Sequence, residues 1–334
     1  MNRERMVRME DIAREVGVSV STVSRVLNET ASISETTCAR VRAAASRLGY
    51  VKIPLSQTSM ERCDTAGIII PDLISNYYMG ILNSLTERFR EKGLGTLFAT
   101  SRFDPDEAIS AVHRMMRRNV RCKVIVIDDC EVISRRLIEV VRNSGIPTVF
   151  ITAAYIPEMD FDCLHMDEER GCSMAVEHLI HRGYTRIGCI CEPLTLNRRD
   201  LFYKVMKRFN MPVYPELVSF GQERAERGGY LRMKELLSGR RLPDAVVACY
   251  DQMAIGALHA IQEAGLRIPQ DIAVIGFDGI PASEFVYGGL TTISCPYDDM
   301  AGITVRILLR RMDGLTGQPQ QVAVKPLLVV RATT

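Results

Sequence analysis

Four polar residues near the start of the sequence have types and spacing suited to reading DNA. They are Ser21, Ser24, Arg25 and Asn28. Their spacing places all four on one face of a short α-helix. An arginine can donate two parallel hydrogen bonds to a guanine edge in the major groove, and serine hydroxyls can hold phosphates. This face therefore favours DNA recognition, and the alternative is a solvated face of a small helical bundle.

The surrounding sequence predicts three short helices that would position this face. Gly17 ends the first helix, and Ser19 can cap the second. The third is predicted from Ser34 to Leu48, with Gly49 at its end. The residues predicted to form the shared core are Ile12, Ala13, Val16, Val23, Val26, Leu27, Val41, Ala44, Ala45 and Leu48. Three helices around such a core are typical of a helix-turn-helix domain.

The run DIAREVGVSVSTVSRVLN, residues 11–28, closely resembles the DNA-binding head of the LacI/GalR family of bacterial transcriptional regulators. The resemblance implies that the base-reading residues are Val20, Ser21 and Arg25. It implies that the phosphate-holding residues are Ser19, Thr22, Ser24 and Asn28. Heads of this type bind two half-sites about one helical turn apart. We therefore expect a homodimer on a pseudo-palindromic, double-stranded DNA operator.

A hinge is predicted at residues 53–62, directly after a DNA-binding domain at residues 1–52. In the family this segment folds into a helix on DNA and inserts a leucine into the minor groove. Here Ser59 stands at the position expected for that leucine. Leu55 or Met60 could substitute, because apolar side chains can be driven between base steps. The alternative is a flexible polar linker.

From residue 63 onward, apolar strand-like runs alternate with longer amphipathic helices, as in parallel βαβ units. The runs are AGIIIP, LGTLFA and KVIVID, followed by RIGCIC, DAVVAC and IAVIGF. The sequence thus predicts an α/β body of two doubly wound parallel sheets. It resembles the periplasmic-binding-protein-like core of the same family. We expect an effector-binding domain at residues 63–334, with one lobe at about 63–162 and 295–321 and the other at about 163–294 and 322–334.

Two facing lobes of this kind offer a cleft at the carboxyl ends of their strands. The resemblance nominates as effector contacts Tyr77, Tyr78, Arg199, Tyr250, Asp251 and Asp278. Arginine and aspartate both form strong hydrogen bonds with hydroxyl groups, so a small sugar or sugar derivative is expected. Arg224 stands where the family commonly has an aromatic pocket residue. If Arg224 faces the cleft, an anionic effector is favoured; otherwise it is a solvated loop arginine.

Composition limits the remaining classes of function. The chain is 47% hydrophobic and 25% charged, with no run of about 18 apolar residues and no apolar signal segment. A cytoplasmic protein without a membrane partner is expected. The ten cysteines are spread along the chain without a C-x-x-C pair, so we expect free thiols and neither a metal nor a cofactor. Residues 1–52 carry nine Arg/Lys against six Asp/Glu, which suits a DNA-binding end.

Other classes of function fit the sequence less well. Asp128 and Asp129 form an acidic pair, and His178 and His181 are three positions apart, but neither pattern is specific for catalysis or metal binding. No dinucleotide, P-loop or G-x-S-x-G motif occurs, so no enzyme is predicted. A solute-binding protein would have no use for the DNA-binding head. The sequence therefore predicts an effector-controlled repressor, with an effector that recruits the protein to DNA as the alternative.

Overall fold

The computed structural model describes residues 9–28, 33–47, 64–127, 133–156, 159–315 and 317–334, with backbone alone for residues 9, 10, 21, 24, 27, 28, 35 and 46. The chain divides into two units, Met1–Glu61 and Arg62–Thr334. The predicted hinge at 53–62, with Leu55 and Met60, lies outside the described residues. So do the predicted helix end at Leu48 and Gly49 and the acidic pair Asp128 and Asp129.

The first unit contains the three predicted helices, α1 (Met9–Val16), α2 (Val20–Asn28) and α3 (Glu35–Arg47). Their buried side chains are Ile12, Ala13, Val16, Val23, Val26, Val41, Ala44 and Ala45. The predicted core is thus confirmed wherever its side chains are described. The helix-turn-helix arrangement follows from burying one apolar stripe of each short helix against the other two.

Local hydrogen bonds fix the turn between α1 and α2. Gly17 has a φ of +73°, a left-handed conformation that glycine adopts without steric cost. The amide groups of Gly17 and Val18 both donate to the carbonyl of Ala13, at 2.9 and 3.1 Å. Ser19 Oγ then accepts from the amide of Thr22 at 3.1 Å, as a helix cap does. The predicted helix stop and cap are both confirmed.

The second unit alternates helices with strands. The helices are α4 (Asn76–Glu91), α5 (Pro105–Arg117), α6 (Arg135–Asn143), α7 (Glu168–His181), α8 (Leu196–Arg208), α9 (Ala225–Leu237), α10 (Asp251–Glu263) and α11 (Tyr297–Met312). The strands are β1 (Thr65–Ile70), β2 (Gly95–Thr100), β3 (Cys122–Ile127), β4 (Thr148–Thr152), β5 (Asp162–Met166), β6 (Ile187–Cys191), β7 (Val218–Phe220), β8 (Ala245–Ala248), β9 (Ala273–Asp278), β10 (Thr291–Ser294), β11 (Gln321–Val324) and β12 (Leu327–Val329).

These strands form two sheets, each of six strands within the described residues. The first lobe has the strand order β11-β5-β4-β3-β1-β2, and the second has β12-β10-β9-β8-β6-β7. Neighbouring strands are parallel except for β10 and β12. Helices cover both faces of each sheet, which explains the nearly continuous apolar strands. The predicted α/β class with two doubly wound lobes is confirmed.

The chain crosses between lobes at different points from those predicted. The sequence placed residues 163–294 and 322–334 in the second lobe. However, β5 (Asp162–Met166) and β11 (Gln321–Val324) pair with each other in the first sheet. Both predicted boundaries are therefore a few residues too early. The error arises because these strands pair across more than 150 positions of sequence, and no local pattern reports such a pairing.

Helices α9 and α10 of the second lobe touch through their backbones. A Cβ atom added at Gly256 would lie 1.9 Å from the carbonyl oxygen of Glu226, and one at Gly229 would lie 1.9 Å from that of Met253. No side chain fits at such a distance. The contact matters for the cleft described below, because Arg224 caps the start of α9 and Asp251 begins α10.

We predict that Gly256→Ala destabilises the protein, since α9 and α10 must separate to admit the methyl group; overpacking of this kind costs about 1–3 kcal/mol or more. Gly302→Ala in α11 is the matched control, because a Cβ there would meet nothing within 4 Å. That variant should be neutral or more stable by up to about 1 kcal/mol. Urea unfolding measures both, and equal effects would contradict the described helix contact.

Candidate functional site

A cleft lies between the two lobes at the carboxyl ends of their strands. Its lining residues in the first lobe are Ile74, Ser75, Tyr77, Tyr78 and Ala153. Those in the second lobe are Glu168, Glu192, Leu194, Thr195, Asn197, Arg198, Arg224, Ala225, Tyr250, Gln252 and Asp278. The free volume is about 80 Å³, about half of the ~150 Å³ cavity that accepts benzene in a protein core. The free space in this arrangement of the lobes is therefore small.

Arg198 forms the polar centre of the cleft wall. Its guanidinium donates to Glu168 Oε1 at 2.9 Å, to Asp278 Oδ1 at 2.9 Å and to the carbonyl of Cys249 at 2.7 Å. It also stacks on the ring of Phe277, 4.6 Å from the centroid. Burial raises the pKa of Asp278, and Arg198 opposes that rise. The group presents fixed charges of both signs to the cleft.

Asp278 is held in an unusual backbone conformation at the end of β9. Its φ is +93°, a region that residues other than glycine rarely occupy and that is enriched at functional sites. Gly279 follows with a φ of +68°, and a Cβ there would lie 2.3 Å from Ser294 Oγ. The tight turn aims the Asp278 carboxylate at Arg198, so the predicted Asp278 does line the cleft.

Arg199, predicted as the effector contact, is placed elsewhere. Its guanidinium pairs with Asp200 Oδ1 at 2.7 and 2.9 Å, and it is not among the residues that line the cleft. Consecutive residues of α8 differ by about 100° around the helix axis, so an error of one position selects another face. The structure therefore does not place Arg199 at the cleft, and its neighbour Arg198 lines the cleft instead.

Two predicted aromatic residues, Tyr77 and Tyr78, do line the cleft at the start of α4. Both side chains are buried. Their ring centroids are 5.4 Å apart in an edge-on arrangement, a geometry that aromatic pairs prefer. The ring of Phe103 lies 6.1 Å from that of Tyr78. The first lobe thus contributes an aromatic wall opposite the charged wall of the second.

Arg224 lies in the cleft, and its charge is already paired. Its Nη1 donates to Asp72 Oδ2 in the first lobe at 2.9 Å. Its guanidinium carbon lies 5.2 Å from the centroid of the Phe103 ring, within range of a cation–π contact. Its Nε is 3.9 Å from Glu192 Oε1. The alternative of a solvated loop arginine is therefore wrong, since this side chain joins the two lobes.

Tyr250 positions the segment that carries Arg224. Its hydroxyl oxygen accepts from the amide of Ala225 at 2.8 Å, and Ala225 itself has a φ of +55°. Burial raises the pKa of Tyr250 above its usual range, so the phenol stays neutral and can also donate. The predicted Tyr250 lines the cleft, as expected.

Asp251, by contrast, is a structural residue. It is 0% exposed and is not among the cleft lining. Its carboxylate accepts from the amide of Ile280 at 2.8 Å and from the hydroxyl of Thr292 at 2.6 Å. Burial raises the pKa of Asp251 to about 8. The structure therefore does not place Asp251 at the cleft surface, because its side chain ties α10 to the segments around β9 and β10 that hold Asp278.

Sequence reasoning missed several polar residues of the cleft, among them Glu168, Glu192, Asn197, Arg198 and Gln252. Gln252 bridges the lobes, since its Oε1 accepts from the amide of Asn76 at 3.2 Å. Each of the two glutamates directly follows a strand, β5 or β6, with at most one residue between. Polar residues at the carboxyl ends of parallel strands are the signal that could have found them.

The DNA-facing candidates lie on and beside α2. Val20 is 41% exposed, and Arg25 is also exposed. Ser19 and Thr22 share a hydrogen bond between their hydroxyls at 2.8 Å. Ser21, Ser24 and Asn28 belong to the same helix, but their side chains are outside the described residues. The described side chains of this face, Val20 and Arg25, are therefore accessible to a DNA groove.

The other chemical candidates have structural roles. His178 Nε2 hydrogen-bonds with Thr334 Oγ1 at 2.8 Å. In the part of the chain that the structure describes, no cluster of His, Cys, Asp or Glu could hold a metal ion. Cys189, Cys191 and Cys249 are buried free thiols. No helix among the described residues is long and apolar enough to cross a membrane.

The chain resembles known regulators over almost its whole length. Residues 8–52 match the family model for bacterial regulatory proteins, lacI family, and residues 176–334 match the periplasmic binding protein-like domain. The ribose operon repressor of Escherichia coli (strain K12) is 30% identical over 333 residues, covering 98% of this chain and 100% of that protein. The HTH-type transcriptional regulator GalR of Salmonella typhimurium (strain LT2) is 30% identical over 302 residues, covering 89% and 86%.

Solved structures agree with these relatives. The Lac repressor dimer bound to operator and the anti-inducer ONPF has a TM-score of 0.73 at 25% identity, with 98% of this chain and 99% of that chain covered. The transcriptional regulator CelR in complex with cellobiose has a TM-score of 0.72 at 26% identity, with 98% and 100% covered.

Proposed function

Because this chain belongs to the LacI family of bacterial regulatory proteins, we propose that it represses transcription from one operator class under the control of a small carbohydrate-like effector in the interlobe cleft. The observation that carries the proposal is the Arg198 cluster facing an aromatic wall. Charged groups make strong hydrogen bonds with ligand hydroxyls. The Tyr77 and Tyr78 rings supply an apolar surface of the kind that packs on a sugar face.

Control of DNA binding follows from a difference in effector affinity between two states of the body. An effector that binds better to one lobe arrangement shifts the protein toward it, and the coupling to DNA affinity is typically about 1–3 kcal/mol. Release of DNA on effector binding is the mode we propose. The alternative is an effector that recruits the protein to DNA. An operator titration with and without effector separates the two.

The head is proposed to read bases through Val20, Ser21 and Arg25 and to hold phosphates through Ser19, Thr22, Ser24 and Asn28. The hinge at 53–62 is proposed to fold into a helix on DNA. Leu55 or Met60 would then insert into the minor groove as the wedge residue. A protein that acts on chromosomal operators works in the cytoplasm.

We predict that Arg25→Ala lowers specific operator binding by about 1–3 kcal/mol, because a bidentate contact to a base is lost. The measurement is anisotropy with an operator selected from random DNA, against scrambled DNA. Arg14→Ala is the matched control, since it removes the same charge from an exposed position on α1. Unchanged discrimination in Arg25→Ala would rule out the proposed reading helix.

We predict that Arg198→Gln weakens effector binding at least about tenfold, since charge-assisted hydrogen bonds contribute about 1.5–3 kcal/mol each. A thermal-shift panel of neutral sugars identifies the ligand, and calorimetry measures its affinity. Arg199→Gln, one position along α8, should bind the ligand as the unaltered protein does. Equal losses in both variants would contradict the assignment of Arg198, and retained operator binding would show that each variant is folded.

A homodimer is proposed for operator binding, and exposed aromatic residues support it. Phe285 in the second lobe is 81% exposed, and Phe98 on the edge strand β2 of the first lobe is 51% exposed. Aromatic residues are enriched in protein interfaces relative to the rest of the protein surface. The dimer supplies the second head that two half-sites require.

We predict that Phe285→Glu raises the dimer dissociation constant at least about tenfold, because it places a charge in an apolar contact. Sedimentation velocity over a range of concentrations measures the change. A monomeric unaltered protein, or an unchanged Phe285→Glu dimer, would argue against this interface.

A further inference from the structure

The ion pair between Asp72 and Arg224 closes the cleft from side to side. We propose that Asp72 determines which class of effector the cleft accepts: by occupying Arg224, it excludes anionic sugars and leaves the site to uncharged polyhydroxylated ligands. The inference rests on the proposed role of the cleft as the effector site. It reverses the sequence-based expectation that an arginine at position 224 favours an anion.

The Asp72 carboxylate is fixed in place before any ligand arrives. Its Oδ1 accepts from the amides of Ile74 and Ser75, at 3.0 and 2.9 Å. Its Oδ2 is thereby oriented toward Arg224 Nη1, at 2.9 Å. The Asp72 side chain is 13% exposed and that of Arg224 is 35% exposed, so the carboxylate is mostly shielded from solvent while the guanidinium remains reachable from the cleft. A fixed carboxylate of the protein therefore occupies the position beside Arg224 where a ligand anion would bind.

The charges around the pair oppose a second anion. Among the described residues that line the cleft, Glu168, Glu192 and Asp278 outnumber the two guanidiniums, and Asp72 adds a fourth carboxylate. Glu168 and Asp278 share Arg198. Glu192 is 2% exposed and has Arg224 at 3.9 Å. An incoming anion would displace Asp72 and leave it with Glu192 uncompensated, and like charges repel strongly at low dielectric.

An uncharged ligand hydroxyl is not repelled by these carboxylates, and it can supply a hydrogen-bond partner that Arg224 lacks. Among the described residues, the buried Nε of Arg224 has no hydrogen-bond partner, and a buried donor without a partner is costly. Glu192 Oε1 lies 3.9 Å from that Nε. One ligand hydroxyl placed between them can accept from Arg224 and donate to Glu192. The site therefore has a place for an alcohol where the charge balance excludes a carboxylate or a phosphate.

The test is Asp72→Asn, which separates the roles of the two carboxylate oxygens of this side chain. Asparagine keeps Oδ1 as the acceptor for the two backbone amides and replaces the oxygen that pairs with Arg224. The probes are ribose and glucose, each with its aldonic acid and its phosphate ester, in thermal-shift and calorimetric titrations. We expect the unaltered protein to prefer a neutral probe. Asp72→Asn should bind at least one anionic probe at least about tenfold more tightly than the unaltered protein does.

Two controls isolate the ion pair. Adding Arg224→Gln to Asp72→Asn should abolish the gain, since the released guanidinium is its source. Asp160→Asn removes the same charge from an exposed pair with Arg142 on the first lobe, at 3.3 Å, and should bring no gain. An equal gain in Asp160→Asn would mean that net charge alone is responsible and would overturn the proposal.

The remaining outcomes distinguish this inference from the function on which it rests. If the unaltered protein binds an anionic probe as tightly as its neutral counterpart, the proposed exclusion is wrong. If a neutral probe binds and changes operator affinity while Asp72→Asn gains no anion, the effector role stands and the role of Asp72 falls. If neither protein binds any probe and operator affinity is unchanged, both proposals fail.

Discussion

The architecture of the cleft depends on one buried cation. Arg198 joins the start of α7 through Glu168, the end of β9 through Asp278 and the end of β8 through the carbonyl of Cys249. A buried charge is tolerated only when it is paired and hydrogen-bonded. Because all three partners belong to the second lobe, the charged wall is preorganised independently of the first lobe. The aromatic wall can then approach or withdraw without disturbing it.

The contacts between the lobes differ in kind from those within the second lobe. Asp72 with Arg224 and Asn76 with Gln252 are a few polar contacts across a solvent-accessible gap. Exposed or half-exposed ion pairs contribute little to stability. The interlobe contacts can therefore break and reform at small cost in free energy, whereas loss of the Arg198 cluster would leave buried carboxylates unpaired. This difference suits an effector-binding body whose two lobes must open and close without unfolding.

Local features of the fold were predictable from sequence, and long-range ones were not. The α1 to α2 turn depends on Gly17 and Ser19, and its interactions span only a few residues, so their types sufficed. The pairing of β5 with β11 and the roles of Arg198 and Asp251 depend on partners 29 to 158 positions away. Arg198 and Arg199 are identical in type. Only the rotation of α8 about its axis, set by packing of Phe202 in the core, distinguishes them.

The strand order has a consequence for how the protein folds. The last two described strands, β11 and β12, complete different sheets, since β11 pairs with β5 and β12 with β10. Neither lobe can finish its sheet until residues 321–329 are available, even though all other strands precede them. Contacts of such high sequence separation slow folding because loop closure must come first. Completion of both sheets therefore depends on the same short segment, so the edges of the two lobes are coupled through residues 321–329.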